Sequence, residues 1–143
     1  MGATDRDSAA LARRYPSARM SFRRRRGFLS GFGYAVAGIR WVLETQPNFR
    51  FHLAVAVAVV ALGVCLQLPA HSWAVLASTI GGVLVVEILN TAVEVFVDLV
   101  SPDDRELAKQ AKDLAAAAVL LAALTSVVVG IAVLGPPLLA RLR

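Results

Sequence analysis

Disulfide chemistry is excluded at once. The chain holds one cysteine, Cys65, set in an apolar run, so no internal bridge can form and a small buried hydrophobe is its natural role. The 143 residues contain no glycine-rich P-loop, no protein-kinase motif set and no His/Cys zinc spacing. These absences remove P-loop ATPases, protein kinases and zinc enzymes of the usual kinds. The arginines have no base-reading or stacking pattern beside them, which argues against nucleic acid as a partner. Charge is also missing from long stretches. Every residue from Trp73 to Val86 is neutral, and the turn 69–72 has neither Lys nor Arg.

What is present is mostly hydrocarbon. Hydrophobic residues make up 57% of the chain and the mean hydropathy is +0.65. A soluble domain is nearer about 45–50% apolar. The length fits one domain. The net charge of +5 is unevenly spread, with ten of the fifteen Lys and Arg before His52. Anionic lipid headgroups are the natural partner of those arginines.

The expected fold is an all-α membrane protein with three transmembrane helices and an N-terminal amphipathic surface helix. Residues 1–26 read as a disordered basic tail and 27–143 as the membrane domain. Arg23 to Arg26 hold this end at the cytoplasmic surface. Arg25-Arg26-Gly27-Phe28-Leu29 also has the look of a twin-arginine export signal, with Ala35-Val36-Ala37 as a cleavage site. Arg40 and the several spans that follow count against that reading. The aromatic-rich segment at about 27–46 suits a helix lying on the membrane. Pro47 is expected to break it, and Asn48 to His52 to form an elbow.

Spans are expected at about 52–68, 73–100 and 114–135; the second is longer than the roughly 20 residues a bilayer requires, so its end bearing Glu94 and Asp98 is expected to project toward the aqueous boundary. Ser101-Pro102-Asp103-Asp104 has the form of a helix start, with a Ser cap, a proline in the first turn and acids on the positive dipole end. Gly135-Pro136-Pro137 is expected to end the last span. Positive charge flanks the amino end and the 101–113 loop, so both are expected in the cytoplasm and the carboxyl terminus outside.

The chemistry concentrates in one stretch. Glu87, Asn90, Thr91, Glu94 and Asp98 fall at i, i+3, i+4, i+7 and i+11, one face of an otherwise apolar helix. Carboxylates there are costly unless aimed at a bundle interior or polar cavity. With Lys112, Asp113 and an arginine nearby, they suit three roles. They can hold Mg²⁺ with phosphate oxygens and place a general base by a lipid hydroxyl. They can serve a proton or cation pathway. They can simply bind helices together. Residue types alone leave all three open.

The order Glu87-Ile88-Leu89-Asn90-Thr91-Ala92-Val93-Glu94, then Val97-Asp98, then Ala111-Lys112-Asp113 resembles the small prokaryotic diacylglycerol kinase family. The resemblance covers about residues 30–130. Asn48-Phe49-Arg50-Phe51-His52 is similar to the Arg-x-His elbow of its undecaprenol-kinase branch. It implies a homotrimer of three-span subunits that transfers the γ-phosphoryl of ATP to a lipid hydroxyl with Mg²⁺, with active sites between neighbouring subunits. By position, Glu94 would ligate the metal, Glu87 would be the catalytic base and Asn90 would support the site. Lys112 would contact the phosphates, with Asp113, Tyr34 and the Asp103-Asp104-Arg105 loop on the nucleotide. Asp98 would be a further acid at the helix end. Arg50 and Arg26 would lie on the lipid side, Arg26 being nearest to a family arginine whose place Gly27 takes.

One departure stands out. The family's second metal-binding Glu is replaced by Gln46, a weaker ligand. Either Gln46 coordinates through its amide oxygen or Glu44 substitutes. Residues two apart point to different sides of a helix, so that exchange needs local unwinding near Pro47.

Overall fold

The computed structural model describes residues 28–101 and 105–142. Four helices account for nearly all of them: α1, Phe28–Thr45; α2, Pro47–Cys65; α3, Ala70–Val100; and α4, Glu106–Leu142. The chain divides into two compact units after Val36.

Proline sets the first boundary. Gln46 is extended, with φ −107° and ψ 105°, and Pro47 begins α2. A residue before proline avoids the helical region, and proline at a helix start loses no bond because its missing N–H would be unpartnered anyway. The helix therefore restarts at once. Asn48 to His52 are its first turns, not the expected elbow. That correction matters, because it puts His52, Ala56 and Val59 on one helical face.

The α2–α3 connection closes in a Schellman-type end. Gln67 takes φ 55°, the left-handed region. The Gln67 N–H donates to the Val64 carbonyl at 3.0 Å, and the Leu68 N–H to the Gly63 carbonyl at 3.2 Å. These are the two bonds that satisfy a helix's last carbonyls, and a proline often follows. Here it is Pro69, which caps α3. The tight turn is thus 66–69, and Ala70 to Ser72 already belong to α3. Gly63 permits the close approach: a Cβ there would lie 3.0 Å from the Trp73 ring and 3.1 Å from Leu68.

Leu66, Leu68, Leu76 and Leu134 form the buried core at this end, with Val59, Trp73 and Val133 packed on it. The most extensive helix pairing is α3 with α4. Away from these seams the apolar side chains face outward, among them Val57, Val64, Val85, Leu89, Leu121, Val128 and Ile131. So much exposed hydrocarbon suits a lipid solvent. α2 and α4 are each long and apolar enough to cross a membrane.

Two further boundaries differ from expectation. Ser101 caps the end of α3, where its N–H bonds the Val97 carbonyl at 2.8 Å, and α4 begins at Glu106. Helix α4 also continues through Gly135-Pro136-Pro137 to Leu142. Each proline deletes one backbone donor, but leucines and alanines on both sides carry the helix on, and prolines are tolerated in helices of membrane proteins.

Candidate active site

The middle of α3 turns its polar stripe inward. Glu87 is 2% exposed, Thr91 2% and Asn90 8%, although all three sit on a helix whose other side chains are largely apolar. Burying them without partners would cost several kcal/mol, so their bonds repay a full accounting. The Thr91 hydroxyl donates to the Glu87 backbone carbonyl at 3.1 Å. The Asn90 amide nitrogen donates to Glu94 Oε1 at 2.9 Å. Two acceptors are left over: among the described residues, Glu87 Oε2 and Asn90 Oδ1 are buried with no hydrogen-bond partner. The stripe is therefore preorganised on one side and unsatisfied on the other. A carboxylate oxygen and an amide oxygen await a donor or a cation.

Toward the end of α3 the stripe becomes wetter. Glu94 is half-buried and Asp98 exposed. Lys112 reaches across from α4, and its Nζ lies 2.5 Å from Asp98 Oδ1. One turn away, Lys109 pairs with Asp113 at 2.9 Å along α4. Cationic α4 thus lies beside acidic α3 where charge meets solvent, while Glu87 lies deeper. The rise of about 1.5 Å per residue puts some 16 Å between Glu87 and Asp98 along the axis.

The other expected residues are scattered around this seam. Arg50 is exposed on the first turn of α2. Gln46 is half-buried at the start of α2 and makes no capping bond with its side chain. Glu44 is exposed on α1 and held 2.7 Å from Arg40. Arg105 is exposed just before α4. Tyr34 is exposed on the part of α1 that belongs to the first unit. Arg26, Asp103 and Asp104 lie outside the described residues.

Among the described residues, no three of His, Cys, Asp and Glu gather as a metal site. Glu44, Glu94 and Asp98 thus do not form a carboxylate cage. That arrangement still suits Mg²⁺, which takes one or two carboxylates and leaves its other positions to water and phosphate. The donors along the stripe are hard oxygens, and Asn90 Oδ1 lacks a partner among the described residues.

His52 was not among the expected chemical residues of the stripe. It is half-buried on α2. Reading 48–52 as an elbow hid the spacing that turns it inward. Continuing the helix back to Pro47 would have revealed it.

The fold and site define an all-helical protein with two helices long and apolar enough to cross a membrane and a partly buried acidic stripe in its bundle. Comparison with known proteins narrows this. The family profile for prokaryotic diacylglycerol kinase matches residues 33–134. A diacylglycerol kinase of Synechocystis sp. is 51% identical over 112 residues, which is 78% of this chain and 64% of that protein. This chain thus spans just under two thirds of that relative's length. The undecaprenol kinase of Bacillus subtilis is 40% identical over 111 residues, 78% of this chain and 90% of that one. The diacylglycerol kinase of Escherichia coli is 33% identical over 96 residues, 67% of this chain and 79% of that one. The chain belongs to the prokaryotic diacylglycerol kinase family.

Proposed function

We propose that this protein is an ATP- and Mg²⁺-dependent lipid kinase of the bacterial cell membrane that phosphorylates undecaprenol. The observation that carries the reading is Glu87: a carboxylate 2% exposed, with one oxygen unpartnered among the described residues, on the same stripe as Asn90 and Glu94. A buried acid with open acceptor capacity fits a base for a membrane-embedded hydroxyl.

In the proposed reaction the lipid hydroxyl donates its hydrogen bond to Glu87. Its oxygen attacks the γ-phosphorus while the β–γ bridging P–O bond breaks. The proton passes to Glu87, and ADP leaves carrying the bridging oxygen. Asn90 holds Glu94 in place by its 2.9 Å bond. Glu94, with Gln46 or Glu44 and possible support from Asp98, would hold Mg²⁺, whose charge offsets that of the phosphates. Lys112 exchanges Asp98 for phosphate oxygens, as a flexible point charge can. The family resemblance assigns Asp113, Tyr34 and the segment Asp103 to Arg105 to the nucleotide. The same resemblance assigns Arg50 and Arg26 to the lipid headgroup.

The proposed assembly is a homotrimer of three-span subunits, α3 supplying the third span, with the amino end cytoplasmic. The two acceptors that have no partner among the described residues support a site completed from outside those residues.

Diacylglycerol is the second acceptor to weigh, because the 51% identical relative bears that name. A degenerate, non-catalytic homologue is the other reading, favoured only by Gln46. Purified protein with labelled ATP and Mg²⁺, offered undecaprenol and diacylglycerol separately, decides among them. Glu94→Gln abolishes the product if the metal role is right. Full activity in that variant would remove Glu94 from the site.

A further inference from the structure

Helix α4 is longer than a membrane crossing requires. It runs 37 residues, from Glu106 to Leu142, about 55 Å at 1.5 Å per residue. No charged residue stands between Asp113 and Arg141. Their separation along the axis is about 42 Å. A bilayer measured through its headgroups is about 40–45 Å thick. With Asp113 among the headgroups of one leaflet, Arg141 falls among those of the other. Proline marks the same boundary independently. Pro136 and Pro137 lie inside the helix, and neither has an N–H to give the Ala132 and Val133 carbonyls one turn earlier. Such carbonyls are costly in hydrocarbon and are satisfied where water reaches. The helix therefore leaves the hydrocarbon near residues 132–137. Leu134 packs at this level with Leu66 and Leu68 of the α2–α3 connection.

The residues beyond that level are of two kinds. Leu138, Leu139 and Leu142 are 39%, 59% and 76% exposed. Arg141, in the last turn, is exposed as well. The ion pairs among the described residues leave it out. Arg143 follows in the sequence. The helix dipole favours a cation in a last turn, which accounts for an arginine but not for three bared leucines beside it. Water disfavours the leucines, and hydrocarbon disfavours the guanidinium. A headgroup layer accepts both, because leucines can enter the acyl boundary while a guanidinium reaches phosphate. The family profile stops at residue 134, so this segment lies beyond the residues matched to the kinases.

We infer that residues 135–142 form an interfacial anchor for anionic phospholipid, with Arg141 on a headgroup phosphate and Leu138, Leu139 and Leu142 in the acyl boundary. The anchor works in the leaflet opposite Asp98 and Lys112. It needs α4 to span the membrane and does not rest on the kinase reading. Guanidinium suits the role, since its planar donors match two phosphate oxygens at once. An anionic lipid is preferred because a zwitterionic one carries its own ammonium beside the phosphate. Each basic residue near an anionic surface gains about fivefold in affinity.

The test is lipid binding in neutral detergent, read by native mass spectrometry on the purified protein and its variants. Phosphatidylglycerol and phosphatidylcholine are titrated separately, and inorganic phosphate is added as a competitor. Wild type should prefer phosphatidylglycerol. Arg141→Gln should weaken that lipid about fivefold and Arg141→Gln with Arg143→Gln further, while phosphatidylcholine binding stays unchanged. Arg141→Lys, which keeps the charge, should lose less than Arg141→Gln. Equal phosphatidylglycerol affinity in wild type and the double variant overturns the anchor, as does an equal loss on both lipids. Displacement of phosphatidylglycerol by an equal concentration of inorganic phosphate would assign the arginines to free phosphate and overturn it too. A second measurement reads depth. Leu139→Cys in a Cys65→Ser background carries a nitroxide in phosphatidylglycerol vesicles, and its collisions with dissolved oxygen and a water-soluble nickel complex are compared. A depth of about 5–10 Å into the headgroup and acyl boundary supports the anchor. A label in bulk water, or one at the bilayer centre, overturns it.

Discussion

Lys112 and Asp98 join α4 to α3 by an ion pair of 2.5 Å between residues fourteen apart in sequence. Their side chains are 38% and 66% exposed, so the pair adds little stability, at most about 1 kcal/mol for an exposed bridge. Its importance is positional, since it parks a cation beside the acid stripe.

Substitutions at the two ends should therefore differ. Lys112→Met is expected to lower kcat/KM for ATP by about a hundredfold, the scale of a lost phosphate contact. Asp98→Asn should cost less than tenfold, because the lysine survives. Thermal melting in detergent should shift little for either. Equal activity losses would mean that the ion pair itself, not the lysine, is what the site needs.

Gln46→Glu restores a carboxylate where the family pattern has one. The Mg²⁺ concentration for half-maximal activity should fall several-fold, because a charged oxygen binds the ion better than an amide. A titration of activity against Mg²⁺ checks this. An unchanged midpoint would remove Gln46 from the metal's neighbourhood and leave Glu44 as the alternative.

Gly63→Ala places a methyl 3.0 Å from the Trp73 ring and 3.1 Å from Leu68, so something must shift. Overpacking of this kind costs about 1–3 kcal/mol. The melting temperature should drop, whereas Gly130→Ala, with open space around it, should leave melting unchanged or raise it slightly, since alanine favours a helix interior over glycine.

Gln67→Gly should stabilise. A non-glycine residue in the left-handed region costs roughly 1–2 kcal/mol, which glycine avoids, although greater freedom in the unfolded chain offsets part of the gain. The measurement is melting in detergent. A lower melting temperature would mean that the Gln67 side chain makes a contact worth more than its backbone strain.

Much of this was legible in the sequence, for identifiable reasons. The 3.6-residue period of Glu87, Asn90, Thr91, Glu94 and Asp98 put them on one face, and the fold buries its first three members. Proline set the α1–α2 boundary because its steric rule is local. The same rule misled at Pro136-Pro137, where apolar context outweighs two lost donors. It also misled at Asn48 to His52, where proline starts a helix rather than delaying one. Ser101 has a cap's chemistry, and only the packed chain shows which helix it caps. The Asp98–Lys112 pair depends on how two helices settle together, which no local pattern encodes.

The most direct measurement follows the proton acceptor. Glu87→Gln keeps the shape of the side chain and removes its basicity. Nucleotide binding with Mg²⁺ and undecaprenol phosphorylation would both be measured on the purified variant. The account predicts ATP affinity within about threefold of wild type and turnover reduced by at least a hundredfold, the range for a lost general base. Undiminished turnover would contradict it, as would loss of ATP binding, which would place Glu87 on the nucleotide rather than on the lipid hydroxyl.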